Sequence, residues 1–405
     1  MNIKSQIKNL KKLNLPTDQY VIVGSGALAI RGLREAKDLD VIVTQSLWDK
    51  MRKKYDVAPN SWGVECMVLP HDIETLNPQQ SIFGNSKIVL REEIFAQAEM
   101  FDGVPFMSLE HLKKIKLELG REIDLKDVEM IDAYLDQERI ASLLLSWDEY
   151  NKKEFDVPYV YSIKNDTQEL LYVGTRHCYN PKDEEFEKVR KEWKEFYGRN
   201  KYREMIVVVE GGVRPVEESE EKAIIKGGEM NFITYLAYQD KVSIICFEPM
   251  RGEVFDELAK KHSKEKVFYQ RMAQISLQWN TLTEKPEFEG YIKYFMKRDK
   301  EESDWTNFDF SFDTLKKIHT EIFHTEFNAT DRDFFYSIIN PSQKNTQIND
   351  ISRDEDVVRD TAIIKGILNK WKEGKSIFVV YGSGHAVIQE PALRELLKTE
   401  TIYLS

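Results

Sequence analysis

Short apolar segments separated by glycine-containing turns occupy the first third of the chain. Tyr20–Val23 has the pattern of a buried strand, and after a Gly-Ser turn and a short helical segment a second apolar strand runs from Asp38 to Val43. Trp62–Leu69 has the pattern of a later strand. Short apolar runs bounded by turn residues are typical of strands. The pattern predicts an α+β domain with a small mixed sheet.

The remaining two thirds of the chain alternate apolar runs with helical segments. Two strands, Tyr159–Ile163 and Leu170–Val173, flank a turn and predict a hairpin. Three further runs are almost continuously apolar: Met205–Val209, Val242–Phe247 and Ser376–Tyr381. Such runs suit parallel strands that are buried on both faces. The pattern predicts a second domain of the α/β class with a largely parallel central sheet.

A long segment between the last two of these strands, residues 258–345, is rich in aromatic and charged residues. Helical patterns such as Val267–Trp279 and Phe312–Phe323 run through it. We expect a helical insertion that covers the site of the second domain. We place the domain boundary after residue 150, which gives domains of residues 1–150 and 151–405 and an overall α/β fold class.

Composition narrows the possible classes of protein. The chain has 405 residues, enough for two or three domains, and a net charge of −11, which argues against general affinity for nucleic acid. Its three cysteines are too few for a disulfide framework or a thiolate zinc site. No apolar run approaches the ~18 residues of a membrane span, and no signal-peptide pattern is present. We expect a cytoplasmic protein with no membrane partner, and the oligomeric state stays open.

The first candidate site follows the strand that ends at Val23. Gly24, Gly26 and Ala29 satisfy the dinucleotide-binding pattern G-x-G-x-x-G/A, but the acid of that motif should stand at the far end of the second strand. Here Asp38 and Asp40 stand where the second strand begins. Residues two apart in a strand point to the same face, so the two carboxylates lie side by side. This arrangement suits a divalent cation better than a ribose.

A third acid is predicted from the later strand. Glu65 is a lone carboxylate among apolar residues, and such a group costs free energy unless it is paired or bound to a cation. On a strand that neighbours Asp38 and Asp40 it would complete a set of three carboxylates. Hard oxygen ligands favour Mg²⁺, which is usually shared with substrate phosphates. The residues therefore predict a magnesium site.

These motifs resemble the nucleotidyltransferases of the polymerase-beta superfamily, especially the small bacterial proteins related to the AbiEii toxins. The resemblance covers about residues 15–136. It includes Val23-Gly24-Ser25, Asp38-Leu39-Asp40, Glu65, the segment Asp102–Leu112, Lys116, Gly120-Arg121 and Asp124-Leu125-Lys126-Asp127.

The resemblance implies transfer of a nucleoside monophosphate from a nucleoside triphosphate to an acceptor hydroxyl of RNA or protein. It implies that Asp38, Asp40 and Glu65 hold Mg²⁺ and that Glu65 helps to deprotonate the acceptor. The backbone at Gly24 and Ser25 would approach the phosphates. The basic groups that the resemblance assigns to the phosphates are Lys113, Lys116 and Arg121.

The second candidate site is formed by polar residues that follow predicted strands. Four strands are followed by a side chain of metal-ligand or acid–base type: His177, Glu210, Glu248 and His385. In an open parallel sheet, ligands bind at the carboxyl ends of the strands, so we expect these side chains to converge. Two histidines and a carboxylate are a common catalytic metal set that leaves positions open for water.

These residues resemble the TraB/Tiki superfamily over about residues 158–400. The matching motifs are Gly174-Thr175-Arg176-His177, Glu210 and Gly382-Ser383-Gly384-His385, with Arg353-Asp354 as a further polar feature. The resemblance implies a metal-dependent hydrolase-like domain with Mn²⁺, Co²⁺ or Zn²⁺ at His177, Glu210 and His385. Further residues assigned to this site are Arg176, Glu248 and Arg353. The chain departs from membrane-associated peptidases of this superfamily because it has no predicted anchor, which leaves peptidase activity open.

Three hypotheses of function follow. The first is a bifunctional enzyme, a Mg²⁺-dependent nucleotidyltransferase fused to a metal-dependent hydrolase-like domain. In the second, only one domain is catalytic and the other is a recognition module. The third is a non-catalytic regulatory or defence protein that binds a nucleotide and a partner. Three convergent acids favour chemistry, because nucleotide binding alone does not require them.

Overall fold

Seven short strands form the sheet of the N-terminal part of the chain, in the order β3-β4-β5-β2-β1-β7-β6. A computed structural model describes residues 3–83 and 85–399. The strands are β1 (Tyr20–Ile22), β2 (Leu39–Val43), β3 (Ala58–Pro59), β4 (Glu65–Leu69), β5 (Ile73–Leu76), β6 (Glu99–Phe101) and β7 (Val104–Phe106). The helices are α1 (Ile3–Lys11), α2 (Ser25–Ala29), α3 (Gln45–Met51), α4 (Arg91–Ala96), α5 (Leu109–Leu119) and α6 (Glu122–Leu143).

Both faces of this sheet are buried, and the alternation of side chains along the strands divides its core in two. Ile22 and Val41 belong to one apolar cluster, and Val23 and Ile42 belong to the other. Strand β2 pairs in antiparallel fashion with β1 and in parallel fashion with β5. The sheet is therefore mixed, as the apolar pattern predicts. The face with Ile42 also carries Asp40, because residues two apart in a strand share a face.

A second sheet of five strands forms the C-terminal part, in the order β11-β10-β12-β9-β8. Its strands are β8 (Tyr159–Lys164), β9 (Glu169–Thr175), β10 (Met205–Val209), β11 (Ser243–Ile245) and β12 (Ser376–Gly382). Strands β8 and β9 form an antiparallel hairpin, and the pairs β9–β12, β12–β10 and β10–β11 are parallel. Strands β9, β10 and β12 are nearly all buried because helices cover both faces, which explains their continuous apolar runs, whereas the edge strand β11 is partly exposed.

The helices of this part are α7 (Trp147–Tyr150), α8 (Glu184–Asn200), α9 (Glu220–Gln239), α10 (Arg251–Ala259), α11 (Lys264–Thr281), α12 (Phe288–Glu302), α13 (Phe312–Phe323), α14 (Arg332–Ile339), α15 (Gln347–Lys372) and α16 (Ser383–Thr399). Helices α10 to α14 build a separate aromatic-rich core with the first part of α15. The predicted helical insertion thus corresponds to α10–α14, and its aromatic residues are mostly core.

The chain divides into two compact units between Asp136 and Gln137, and both combine helices with sheets, which confirms the α/β class. The division falls inside α6 and not after residue 150, where the sequence places the boundary. No turn or linker marks the division, because one helix continues through it. Within the described residues, no helix is both long and apolar enough to cross a lipid bilayer.

Candidate functional sites

The first unit contains a cleft of ≈ 760 Å³ that holds most of the predicted nucleotidyltransferase residues. Acidic side chains and basic side chains both line it, together with the Trp62 and Phe83 rings. The predicted residues that the cleft brings together are Gly24, Ser25, Asp38, Asp40, Lys116 and Arg121. Glu65 and Lys113 are not among the residues that line it.

The third acid of the cleft is Glu74 and not Glu65. In the parallel pairing of β2 and β5, Asp40 lies opposite Glu74, so the two carboxylates leave the same face of the sheet. Glu65 precedes Cys66, which lines the cleft, and adjacent residues in a strand point to opposite faces. The Glu65 carboxylate instead accepts a hydrogen bond of 2.7 Å from Asn77 Nδ2. The pairing of β5 with β2 thus corrects the sequence-based assignment of the third acid.

Asp40 is the most perturbed acid of this cleft. Burial, with the nearby charges of Asp38 and Glu74, raises the pKa of Asp40 to about 7. The loop that approaches it begins at Gly24, whose φ is 61°, and a Cβ at Gly24 would lie 3.0 Å from Asp40 Oδ2. Glycine is therefore needed where the backbone passes the carboxylate. Burial and the two neighbouring charges all raise the pKa of Asp40, and a bound cation would relieve the repulsion among the acids.

The basic side chains of the cleft are held by two buried aspartates and not by the three acids. Lys116 Nζ lies 3.0 Å from Asp124 Oδ1 and 2.6 Å from Asp127 Oδ2. Arg121 also pairs with Asp124, and Arg34 Nη2 donates to Asp127 Oδ2 at 3.1 Å. Three cations share two carboxylates, so this wall has a net positive charge. The basic motif of α5 and α6 predicts Lys116 and Arg121, but it does not reveal Arg34.

Lys113 has a different environment from Lys116, although both lie on α5. It forms an ion pair with Asp132, and both side chains are partly exposed. Lys116, in contrast, is buried. A helix turns by about 100° per residue, so two lysines three positions apart still differ in direction. The predicted phosphate contact of Lys113 is not supported by its position.

The second unit contains a cleft of ≈ 330 Å³ at the carboxyl ends of its parallel strands. His177 follows β9, Glu210 follows β10, and His385 lies in the first turn of α16, directly after β12. These three strands are neighbours in the sheet, so the side chains converge as the strand-end pattern predicts. Arg176 and Asp356 also line the cleft.

Each histidine of this cleft is oriented by a carboxylate. His177 Nδ1 lies 2.9 Å from Glu229 Oε1, and His385 Nδ1 lies 2.6 Å from Asp360 Oδ1. The two Nε2 atoms each lie 3.7 Å from an oxygen of Glu210. A carboxylate that binds one imidazole nitrogen fixes the orientation of the other. The arrangement directs both Nε2 atoms toward Glu210.

Glu229 reaches His177 because helix α9 is kinked. Gly227 and Gly228 have non-helical backbone angles, and a Cβ at Gly228 would lie 2.6 Å from the Cys178 carbonyl oxygen. Thr175 Oγ1 and Cys178 N donate hydrogen bonds to the two Glu229 oxygens at 2.8 and 3.1 Å. The sequence shows Gly-Gly before Glu229, and this pair is the signal that could have identified the residue.

Helix α15 supplies further polar residues that the sequence motifs miss. Asp360 accepts hydrogen bonds from His385 and from Gln389 Nε2, the latter at 2.7 Å. Arg359 Nη2 lies 3.5 Å from Glu210 Oε1 and 3.0 Å from Glu248 Oε1. Glu248 is therefore connected to Glu210 through Arg359, and Glu248 itself does not line the cleft.

The two arginines that the sequence assigns to the second site, Arg176 and Arg353, form ion pairs or hydrogen bonds with other residues. Arg176 Nε and Nη2 each lie 2.7 Å from an oxygen, of Glu185 and Asp183 respectively. Arg353 donates to the carbonyl oxygens of Pro341 and Gln343 at 2.6 and 2.9 Å, and it lines a neighbouring cleft of ≈ 290 Å³. Arg176 is thus at the edge of the histidine cleft, and Arg353 is outside it.

The ionisable groups of the histidine cleft strongly affect one another. The hydrogen bond that His177 donates to Glu229 raises the pKa of His177. Burial lowers the pKa of His385, but the charge of Asp360 outweighs it and raises that pKa to about 9. Burial alone would raise the pKa of Glu210, but the positive charges of His385, Arg359 and His177 lower it. The cleft therefore favours imidazolium beside carboxylate when no other cation is bound.

Neither cleft is a preassembled metal site. Within residues 3–83 and 85–399, no group of three or more His, Cys, Asp or Glu side chains has the arrangement of metal-ion ligands. The donor types nevertheless suit metals, with three carboxylates in the first unit and two imidazoles with one carboxylate in the second.

Comparison with known proteins adds no similarity to the two motif resemblances found in the sequence. The arrangement of each cleft therefore carries the functional argument. The chain matches no protein-family model, no curated protein and no solved structure with which it was compared.

Proposed function

We propose that the first unit is a Mg²⁺-dependent nucleotidyltransferase. It transfers a nucleoside monophosphate from a nucleoside triphosphate to an acceptor hydroxyl of RNA or protein, and pyrophosphate leaves as the bond between the α- and β-phosphates breaks. The separation of charge in its cleft carries this proposal. Asp40 and Glu74 leave one sheet face, Asp38 lies directly before β2 in the same cleft, and a wall with surplus positive charge also lines that cleft. A magnesium–triphosphate complex requires both kinds of surface.

The three carboxylates fit Mg²⁺ by their chemistry. They offer hard oxygen donors, and burial together with the charges of Asp38 and Glu74 raises the pKa of Asp40 to about 7. Asp38, Asp40 and Glu74 would hold the ion, and when bound it would neutralise charge on the phosphates. Glu74 replaces Glu65 as the residue that accepts the acceptor's proton.

The basic wall positions the triphosphate. Lys116, Arg121 and Arg34 are already held by Asp124 and Asp127, so little side-chain entropy is lost when the phosphates bind. Guanidinium and ammonium groups bind phosphate oxygens through charge-assisted hydrogen bonds. Gly24 lets the backbone pass close to the acids, and it therefore keeps space for the reacting phosphate.

The test compares Glu74, which lines the cleft, with Glu65, which lies on the neighbouring strand and does not line it. The full-length protein is incubated with α-³²P-labelled nucleoside triphosphates, Mg²⁺, and either total RNA or protein acceptors. We expect Glu74→Ala to reduce label transfer by about 10²-fold or more, as loss of a group that stabilises the transition state does. Glu65→Ala is the matched control and should retain transfer.

The same assay separates the proposal from its alternatives. Asp38→Ala and Asp40→Ala should abolish transfer. No transfer by the wild-type protein, or equal transfer by these variants, would refute the enzymatic assignment and favour a nucleotide-binding regulatory role. Equal losses in Glu65→Ala and Glu74→Ala would refute the assignment of the third acid.

A second candidate function, hydrolysis by the second unit, is supported by the two histidines. Their Nε2 atoms face one carboxylate, Glu210, and their Nδ1 atoms are held by carboxylates. Two imidazole nitrogens and a carboxylate suit Mn²⁺, Co²⁺ or Zn²⁺, which would activate a water molecule when bound. His177, His385 and Glu210 would hold the ion, and Asp360 and Glu229 would keep the rings in place.

Metal content tests this candidate. The wild-type protein, His177→Ala and His385→Ala are purified in parallel and analysed by mass spectrometry for bound metals, and His262→Ala is the control. We expect loss of the metal from both cleft variants only. Unchanged metal content would refute metal-dependent hydrolysis. Activity of only one unit would then favour a single catalytic unit with a recognition module.

A further inference from the structure

An exposed tryptophan lies in the cleft of the first unit without a role in phosphate or cation binding. The Trp62 side chain is 69% exposed, and it lines the cleft beside Arg121. The Arg121 guanidinium carbon lies 4.8 Å from the centroid of the Trp62 ring, which is a cation–π contact. Arg121 therefore covers part of the indole, and most of the ring surface stays available to a ligand.

The loop that carries Trp62 is ordered by its own hydrogen bonds. Asn60 Oδ1 accepts hydrogen bonds from the backbone N–H groups of Trp62 and Val64, at 2.9 and 3.1 Å. Asn60 N donates to Val64 O at 2.9 Å, and Gly63 N donates to Asn60 O at 3.0 Å. Gly63 has a φ of 73°, which closes the turn. The ring is thus presented by a fixed backbone, so less entropy is lost when a ligand stacks on it.

The ring is connected to the basic wall through a single shared carboxylate. Arg121 and Lys116 both pair with Asp124, so the residue that supports Trp62 also belongs to the proposed phosphate-binding group. A nucleotide has the same arrangement, because its flat aromatic base is joined through the ribose to the phosphates. Inorganic polyphosphates lack this base.

We propose that Trp62, supported by Arg121, is the surface on which the base of the nucleoside triphosphate stacks. This inference rests on the proposed function of the first unit and names the part of the substrate that the cleft recognises besides its phosphates. Stacking on an aromatic side chain tolerates every base, because each base has a π-face. The subsite therefore strengthens the binding of all four nucleotides, and it selects nucleotides over other triphosphates.

Binding measurements with two ligands test the subsite. The full-length protein with Mg²⁺ is titrated calorimetrically with a nucleoside triphosphate whose α,β-bridge is a non-cleavable methylene, and with inorganic tripolyphosphate. We expect Trp62→Ala to weaken nucleotide binding by about tenfold and to change tripolyphosphate binding by less than about twofold. Trp62→Phe should retain most of the nucleotide affinity.

Tyr202→Ala is the matched control. Tyr202 is 92% exposed, and Lys201 Nζ lies 5.1 Å from its ring centroid, but it does not line the cleft. It should change the binding of neither ligand. Thermal unfolding of Trp62→Ala at the wild-type temperature would show that the variant keeps its fold.

Three results would overturn the inference. Unchanged nucleotide binding by Trp62→Ala would remove the ring from the subsite. Equal weakening of nucleotide and tripolyphosphate would mean that Trp62 only positions Arg121, and a loss of label transfer with unchanged nucleotide binding would assign the ring to the acceptor. If the wild-type protein binds neither ligand, the proposed function itself fails; if it binds both equally well, only the base subsite fails.

Discussion

The acidic and basic side chains are paired differently in the clefts of the two units. In the first unit, Asp40 and Glu74 share one sheet face and Asp38 lies close by, while the basic groups pair with other carboxylates. In the second unit, each histidine has its own carboxylate and Glu210 is surrounded by positive groups. Among the residues that the structure describes, the acids of the first cleft are not paired with basic side chains, so they are suited to bind a cation that enters together with the phosphates of a nucleotide. In the second cleft each imidazole is paired with a carboxylate, and this pairing holds the histidine nitrogen atoms in defined positions.

Two buried acids show that burial alone does not decide the ionisation of a carboxyl group. Burial, Asp38 and Glu74 together raise the pKa of Asp40 to about 7. Burial of Glu355 in the second unit also favours a raised pKa, but Arg251 and other nearby arginines outweigh it and lower the pKa to about 2. The two pKa values differ because acids lie near Asp40 and arginines lie near Glu355. At these two carboxyl groups, the first unit places further acids beside Asp40, whereas the second unit surrounds Glu355 with arginines.

The largest expected effect comes from removing the basic group that compensates two buried aspartates. Lys116→Ala leaves Asp124 and Asp127 with only their arginine partners. Breaking a buried ion pair by removing one partner costs about 3–5 kcal/mol, and the remaining arginines favour the lower end. Hydrogen exchange of the first unit measures this loss. Lys113→Ala should change stability by about 0.5 kcal/mol or less, and equal losses would contradict the assigned burial.

Acid should destabilise the helical region of the second unit through Glu355. Its pKa is lowered from 4.5 to about 2 in the folded protein, so its contribution is present above pH 4.5 and is lost as the pH falls toward 2. The contribution is about 3 kcal/mol. Hydrogen exchange of α15 between pH 5 and about 2.5 follows this loss. Glu355→Gln should flatten the pH dependence, exposed Glu265→Gln should not, and a flat wild-type profile would contradict the prediction.

An intermediate effect is expected at the carboxylate that orients His177. Glu229→Gln keeps the shape of the side chain but weakens its hold on His177 Nδ1. Loss of such an outer partner reduces metal affinity by about 10–100-fold. Calorimetric titration with Zn²⁺ measures the change, and Glu220→Gln, on the same helix but paired with Arg190, is the control. Unchanged affinity would mean that His177 does not depend on Glu229.

The smallest expected effect is a gain of stability in the first unit. Without divalent cations at pH 8, Asp40→Asn removes a repelled negative charge and should stabilise the unit by about 1 kcal/mol. Mg²⁺ should stabilise the wild-type unit but not the variant, because only the wild-type acids bind it. Hydrogen exchange with and without Mg²⁺ distinguishes the two. Glu65→Gln should behave as wild type, and Mg²⁺ stabilisation of Asp40→Asn would contradict the site.

Local spacing was sufficient to predict part of both clefts. Asp38 and Asp40 are two residues apart at the start of a strand, and although β2 begins only at Leu39, both side chains line the same cleft. His177 and His385 each stand three residues after a glycine near the end of an apolar strand, which places them at the carboxyl ends of strands. These relations span a few residues, and the backbone geometry of a single strand determines them.

Relations across the sheet or between helices were not predictable in this way. Glu65 and Glu74 are both acids in short apolar strands, and only the pairing of β5 with β2 selects Glu74. Glu229 and Asp360 lie on helices far along the chain from the histidines that they hold. No periodic pattern marks such pairs, because each side chain fits its own helix equally well with or without its partner.

The amino-acid sequence alone therefore determined the α/β class, the strand-end positions of the site residues and the acidic pair. The tertiary structure decided the third acid, the carboxylates that hold the histidines, the basic wall and the division inside α6. The physical reason is the separation along the chain over which each interaction acts. Hydrophobic periodicity and strand geometry act between near neighbours, whereas strand register and the burial of charge depend on contacts that form only when distant segments pack together.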